Sequence, residues 1–146
     1  MAQYVQGQYK PVNPSKYVGS YPIIFRSSWE FKLMQMFDTH PNVIEWASES
    51  LKIPYTNPFT NKYTVYVPDF VVVYIEASGK RRAEIIEVKP AKETFMEQAK
   101  TQRHKLAAAL NAHKWAAAHA FAKSHGMTFR VMNEHHIFNN PGKGKK

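Results

Sequence analysis

The sequence predicts a single α/β domain in which a mixed β-sheet is flanked by helices. Three observations support this fold class: a capped amphipathic helix near the start, three strand-like stretches joined by short turns, and a long alanine-rich helical stretch before one last strand. Strands joined by tight turns run antiparallel, whereas a helical crossover returns the next strand parallel to the previous one. The sheet should therefore contain both kinds of pairing.

Length and composition limit the classes of function. The 146 residues suffice for one domain with one core, and the 44% hydrophobic content predicts a folded chain. The 20 Lys and Arg residues against 11 Asp and Glu residues give a formal charge of +9, which favours a polyanionic partner. No apolar run approaches the roughly 18 residues of a membrane span, so nucleic acid is the expected partner and a membrane is not.

The composition also limits the chemistry. The chain contains no cysteine, which excludes disulfides and thiolate zinc sites. Its seven histidines are scattered without a helix-face ligand pair, so no zinc site is predicted from them. The N-terminus lacks the basic start and apolar stretch of a secretory signal, and we therefore expect a soluble, intracellular type of protein.

We divide the chain into an N-terminal arm (residues 1–24), an α/β domain (25–135) and a basic, flexible tail (136–146). The arm is polar and rich in Tyr, Pro and Gly, without a steady period. Its aromatic and basic side chains could either dock the arm on the domain or lie along nucleic acid: Tyr4, Tyr9, Tyr17, Tyr21, Lys10 and Lys16.

The first helix should begin near Ser27, because Ser27 and Glu30 have the spacing of a capping box. An apolar stripe follows at helical spacing, and Asn42 marks the end of the helix. Residues 43–55 are then predicted as the first strand, although their apolar alternation slips near Ser48.

A turn cluster at residues 56–61 leads into residues 63–75, the strongest strand signal of the chain. Pro68 cannot donate a ladder hydrogen bond, so it should mark a bulge or an edge position. A hairpin turn is expected at residues 77–80, and residues 83–90 have the composition of the third strand.

The second half of the chain is predicted to be helical from Thr94 to about His125, with Gly126 as the C-terminal cap. Asn111 is the expected break between two helices. Residues 127–132 should form the last strand, parallel to the third.

Charged side chains lie at the end of the third strand, where an unpaired buried charge would be costly. Glu87 and Lys89 should share one face of the strand, and Asp69 lies in the preceding strand stretch. Two carboxylates and a backbone carbonyl, here that of Val88, form the kind of oxygen set that Mg²⁺ prefers. Such an ion would assist phosphodiester hydrolysis, with Lys89 orienting or deprotonating water or stabilising transition-state charge. Glu30 could add a carboxylate to a first or second ion.

Each of these residues also has a structural explanation. Glu30 completes the capping box, Asp69 could end a strand, and Lys89 could pair with Glu87 as an edge ion pair. Their occurrence together and in this order favours a catalytic site over four separate coincidences.

Two sets of basic and amide side chains are candidates for DNA contacts, with a solvated surface as the alternative for each. One set lies at the predicted hairpin and the other at the start of the long helical stretch: Lys80, Arg81 and Arg82, and Gln98, Lys100 and Arg103.

The ordered segments at residues 25–30, 67–70 and 87–90 resemble the PD-(D/E)xK nuclease superfamily. The resemblance spans the chain from about residue 16 to about residue 133. More narrowly, the chain resembles the head-completion nucleases of tailed phages, with further support from the stretches at residues 15–19, 53–55, 87–94 and 115–118. Endonuclease subunits of heteromeric bacterial transposases share the same acidic and lysine set.

The resemblance implies a restriction-endonuclease-like αβββαβ core and a catalytic set of Glu30, Asp69, Glu87 and Lys89. It implies Mg²⁺ as the cofactor, which Mn²⁺ could replace, and metal-dependent cleavage of double-stranded DNA. The expected role is phage head completion, after DNA packaging and before tail joining, with portal or neck proteins as partners. The expected location is the head–tail junction of the virion, and the host cytoplasm during assembly. One chain offers one site, so cleavage of both strands implies a homodimer.

Two other functions remain compatible with the sequence. A structural head-completion protein would keep the fold and bind DNA or portal without cleaving, and its DNA binding would be sensitive to salt. A transposase-type endonuclease subunit would require a second protein for activity.

Overall fold

The computed structural model describes residues 6–89 and 102–133, and within them eight strands and two α-helices. In chain order the elements are β1 (Gly7–Gln8), a 3-10 turn (Pro14–Lys16), β2 (Ile24–Phe25), α1 (Ser28–Thr39), β3 (Val43–Ser48), β4 (Ile53–Thr56), β5 (Tyr63–Tyr66), β6 (Phe70–Ile75), β7 (Arg81–Val88), α2 (Gln102–Ser124) and β8 (Thr128–Met132). The predicted tail, and the predicted helix between residues 94 and 101, lie outside the described residues.

A four-stranded sheet forms the centre of the fold, with the spatial order β3-β6-β7-β8. The strands β3, β6 and β7 pair antiparallel, and β8 runs parallel to β7 after the α2 crossover. The predicted mixed sheet with flanking helices is therefore confirmed. The elements α1, β3, β6, β7, α2 and β8 follow an αβββαβ order, with the hairpin β4–β5 inserted between the first two strands of the sheet.

The two longest predicted strands, residues 43–55 and 63–75, are each interrupted, so the prediction of continuous strands was wrong. The first ends at Ser48, because Glu49 takes a positive φ of 49° and the chain leaves the sheet. The second is broken between β5 and β6, where Pro68 has no N–H to donate. The segments outside the central sheet pair with each other as β4 and β5.

The helices differ from their predictions in one respect. Helix α1 begins after Ser27, whose Oγ accepts the Glu30 backbone N–H at 3.1 Å, as the capping box predicts. Helix α2 is continuous through Asn111, so the predicted break there was wrong; packing against the sheet outweighs the weak helix propensity of one asparagine. Gly126 has a φ of +71° and serves as the predicted C-terminal stop. Neither described helix is long and apolar enough to cross a bilayer.

Two hydrophobic clusters cover the two faces of the sheet. One joins α1 and the arm to the sheet, with Trp46, Phe70 and Ile86 among its buried members. The other joins α2 and the β4–β5 hairpin to the opposite face through Ile53 and Ile85. Consecutive residues of β7 thus pack into different clusters, as strand alternation requires.

The arm is docked on α1 by a fully buried carboxylate, that of Asp38. It accepts hydrogen bonds from the Tyr9 hydroxyl at 2.6 Å and from the backbone N–H groups of Val12 and Asn13 at 2.7 and 2.9 Å. Burial alone would raise the pKa of Asp38, but these hydrogen bonds and the Lys16 ammonium outweigh it and lower the pKa.

The arm's aromatic side chains also contribute to the core. Tyr9 and Tyr17 are buried and pack edge-on against Trp46, and Lys16 donates to the backbone carbonyls of Asp38 and His40. These contacts agree with the prediction that the arm docks on the domain through its aromatic side chains. Tyr4 lies outside the described residues. The division of the chain at residues 24 and 135 stays a prediction.

We predict that Asp38→Asn lowers the free energy of unfolding by about 3 kcal/mol or more. The asparagine NH₂ would face O–H or N–H groups from which the carboxylate now accepts hydrogen bonds. Tyr9→Phe removes one donor and should cost less, about 1.5–3 kcal/mol. Urea unfolding at pH 7 measures both.

The pH dependence provides a second check on Asp38. Because its pKa is lowered in the folded state, its contribution is present above the unfolded value of about 3.9 and is lost as pH falls through the folded pKa. The difference between wild type and Asp38→Asn should shrink in that acidic range, and a difference that is constant down to pH 2 would contradict this account.

Candidate active site

Two carboxylates meet where β6 begins and β7 ends. Phe70 lies opposite Ile86 in the antiparallel ladder, so Asp69 precedes β6 at the level where Glu87 follows on β7. The Asp69 Oδ2 accepts the backbone N–H of Val88 at 2.8 Å. The register of two adjacent strands therefore brings together carboxylates that are 18 positions apart in the chain.

Lys89 lies beside this pair. Its Nζ is 3.8 Å from the Glu87 Oε2, as expected for residues two apart on one face of a strand. Its backbone N–H donates to the Met132 carbonyl at 2.9 Å, which fixes the end of β7 against β8. Lys89 is partly exposed, so its ammonium borders both the buried carboxylates and the solvent.

Burial disfavours the charged forms of both carboxylates, and the charge of Glu87 adds to this effect at Asp69. Burial and the Glu87 charge raise the pKa of Asp69 well above its ordinary value, although the Val88 N–H and Lys89 oppose this rise. Burial likewise raises the pKa of Glu87, while the Tyr66 hydrogen bond, Lys89 and Lys114 lower it in part. A buried pair of this kind is a typical environment for a bound cation or for acid–base chemistry.

Glu30 lies near the pair but is held by a different set of contacts. Its Oε1 accepts the Arg26 backbone N–H at 3.0 Å, so it completes the helix cap as well as facing the site. Burial raises the pKa of Glu30, Arg26 opposes the rise, and the charges of Glu49 and Glu87 add to it. Glu30 in turn contributes to the raised pKa of Asp69. The four predicted residues are thus in one electrostatic environment.

The structure adds two residues that sequence reasoning missed. The hydroxyl of Tyr66 donates to the Glu87 Oε1 at 2.7 Å, and the Lys114 Nζ lies 5.8 Å from the centre of the Tyr66 ring. Burial and the Glu87 charge raise the pKa of Tyr66, so its hydroxyl keeps the proton that it donates. No local sequence pattern marks Tyr66, because its hydrogen bond joins the β4–β5 hairpin to a strand of the central sheet.

The predicted DNA-contact residues are distributed unevenly around the site. Arg81 and Glu87 are six residues apart on β7, so the hairpin set lies about 20 Å away from the carboxylates, and Arg82 is ion-paired with Glu76 there. Arg103 is exposed in the first turn of α2. Gln98 and Lys100 lie outside the described residues. The DNA-contact roles of all these side chains stay predictions.

The carboxylate oxygens of the site suit a divalent cation that takes only a few ligands from the protein. Among residues 6–89 and 102–133, no three Asp, Glu or His side chains are grouped tightly enough to hold an ion between them. The Asp69–Glu87 pair matches the one or two carboxylates with which proteins usually bind Mg²⁺. Ligand roles for Glu30 and for the Val88 carbonyl stay predictions; the contact that Val88 makes in the site is through its N–H.

Comparison with known proteins gives two findings. The sequence profile of the TnsA-like endonuclease N-terminal family matches residues 40–134. The head completion nuclease of Enterobacteria phage T4 is 31% identical over 145 residues, covering 88% of this chain and 90% of that protein. The profile match contains Asp69, Glu87 and Lys89, whereas Glu30 lies upstream of it.

The repulsion between the carboxylates makes a prediction for the metal-free protein. Because the folded pKa of Asp69 lies above its unfolded value, the contribution of this residue to stability is greatest below the unfolded value of about 3.9 and is lost as pH rises through the folded pKa. We predict that Asp69→Asn, which can still accept the Val88 N–H, raises the melting temperature in EDTA at pH 8 by about a few °C.

This gain should diminish as pH falls toward about 4, because the wild-type carboxyl is then neutral as well. Thermal unfolding in EDTA across this pH range measures the effect. A variant that is less stable than wild type at every pH would show that the Asp69 charge is not repelled by its neighbours.

Proposed function

The chain belongs to the TnsA-like endonuclease family, and on that premise we propose that it is a Mg²⁺-dependent endodeoxyribonuclease of the PD-(D/E)xK type. Its substrate is double-stranded DNA, in keeping with the formal charge of +9. The observation that carries the proposal is the buried pair of Asp69 and Glu87 with Lys89 beside it.

Asp69 and Glu87 would hold the cation, each with one oxygen directed away from its hydrogen-bond donor. When bound, Mg²⁺ supplies charge neutralisation for the scissile phosphate and a lower pKa for the attacking water. Burial and the Glu87 charge raise the pKa of Asp69, and a bound cation would oppose both effects by stabilising the ionised carboxylates.

Lys89 is placed to act on the attacking water and on the phosphate. Its ammonium borders the solvent and lies 3.8 Å from the Glu87 Oε2, so a small side-chain rotation would exchange this contact for one with substrate. There it orients the water or stabilises the charge that develops in the transition state. The charge of Glu30 acts on Asp69, and Glu30 is proposed as a ligand of the first or a second ion.

We assign the enzyme to phage head completion, after DNA packaging and before tail joining. The support is the relative in phage T4, which is named a head completion nuclease and aligns over 90% of its own length. Portal or neck proteins are then the protein partners, and the head–tail junction of the virion is the site of action, reached through the host cytoplasm during assembly. Since one chain carries one Asp69–Glu87 pair, cleavage of both strands would require a homodimer.

A transposase-type endonuclease subunit is the second candidate, because the matching family profile is named for the TnsA-like endonucleases. Such a subunit would cleave only with a second protein, and its gene would be next to a transposase gene. A chain that cleaves alone and is encoded among capsid genes would contradict this alternative.

We predict that purified protein cleaves plasmid DNA with Mg²⁺ or Mn²⁺ and not with EDTA. Asp69→Asn and Lys89→Ala should each lower the rate about 100-fold or more while the circular-dichroism spectrum is unchanged. Lys62→Ala, which removes an exposed lysine from the β4–β5 turn, is the matched control and should cleave like the wild type.

Wild-type rates in the Asp69 or Lys89 variant would remove these residues from the mechanism. Absence of cleavage with every divalent ion, together with DNA binding that weakens steeply with salt, would instead identify a structural head-completion protein.

A further inference from the structure

One oxygen of Glu87 is already engaged by the protein. The buried hydroxyl of Tyr66 donates to Oε1 at 2.7 Å, whereas Oε2 faces Lys89. We propose that Tyr66 is a positioning residue that occupies Oε1 of Glu87, restricts the cation to Oε2 and so makes the site selective for Mg²⁺ over Ca²⁺. This inference rests on the metal-dependent function proposed above.

The position of Tyr66 is fixed from several directions. Its side chain is only 5% exposed and belongs to the cluster formed by α2, the hairpin and the sheet. On β5 it pairs with Ile53 of β4, and the Lys114 ammonium lies over its ring, 5.8 Å from the ring centre. The hydroxyl therefore has little freedom to leave Oε1 when a cation enters.

Asp69 is restricted in a corresponding way. The Val88 N–H donates to Oδ2 at 2.8 Å, and this donor belongs to the backbone of β7, so it cannot rotate away. The Val88 N–H thus occupies Oδ2 of Asp69 and the Tyr66 hydroxyl occupies Oε1 of Glu87, while Oε2 of Glu87 lies 3.8 Å from the Lys89 Nζ. A cation that required both oxygens of Glu87 would have to share Oε1 with the Tyr66 hydroxyl.

The two ions differ in what they require from a carboxylate. Mg²⁺ takes six ligands in near-ideal octahedral geometry at about 2.0–2.1 Å, which suits one oxygen from each carboxylate and several waters. Ca²⁺ takes about six to eight ligands at 2.3–2.6 Å and often uses both oxygens of one carboxylate. A hydroxyl on Oε1 therefore favours the smaller ion, and its removal should favour the larger one.

The test is Tyr66→Phe in the full chain, which removes the hydroxyl and keeps the ring. The control is Tyr63→Phe, which removes a hydroxyl from the same strand at a position that is 76% exposed. Mn²⁺ binding is measured by electron paramagnetic resonance without DNA at one pH, and Mg²⁺ and Ca²⁺ are titrated as competitors. Circular dichroism confirms that both variants are folded.

We expect the ratio of Mg²⁺ to Ca²⁺ affinity to fall about tenfold or more in Tyr66→Phe, the size of effect that outer-shell partners of metal ligands have. The ratio should be unchanged in Tyr63→Phe. An unchanged ratio in Tyr66→Phe, or an equal loss for both ions, would overturn the selectivity role and leave the nuclease proposal intact.

The wild type alone provides a measurement that does not depend on the folding of any variant. It should bind Mg²⁺ at least as tightly as Ca²⁺, and tighter binding of Ca²⁺ would overturn the inference. A wild-type chain that binds no Mn²⁺ would overturn the proposed metal-dependent function and this inference together.

Discussion

Two carboxylates held against each other in a poorly solvated place are the constraint on which the site depends. Asp69 and Glu87 repel, and both have raised pKa values because of burial. The fold keeps them together through backbone register, a Val88 N–H and a Tyr66 hydroxyl, none of which carries a charge that would neutralise the pair. The compensating charge comes in part from Lys89, and a divalent cation would complete it.

The rest of the chain supports this pair from both faces of the sheet. On one face, the buried carboxylate of Asp38 fastens the arm to α1, whose N-terminus carries Glu30 toward the site. On the other face, α2 and the β4–β5 hairpin share a cluster that places Tyr66 and Lys114 beside Glu87. The inserted hairpin thus contributes to the site as well as to the core.

The sequence was sufficient for the fold class and for the grouping of the site, because both follow from short-range rules. The Ser27–Glu30 box, the short turns and the spacing of two between Glu87 and Lys89 each determine local geometry. The strand breaks near Ser48 and Pro68 coincide with local features, the positive φ of Glu49 and the missing N–H of Pro68. The continuity of α2 depends instead on tertiary packing, which outweighed the local pattern. The role of Tyr66 could not be predicted, because its hydrogen bond to Glu87 joins a hairpin to a different sheet. Arg81 and Arg82 are close to Glu87 in the sequence but far from it in space, because an extended strand places its two ends about 20 Å apart.

Our claim that Asp69 and Glu87 share one divalent cation is tested by the anomalous diffraction of crystals soaked with Mn²⁺. We expect one strong anomalous peak between the two side chains, at coordination distance from an oxygen of each. A protein with ordered Asp69 and Glu87 side chains and no peak between them, under conditions in which it cleaves DNA, would contradict the claim.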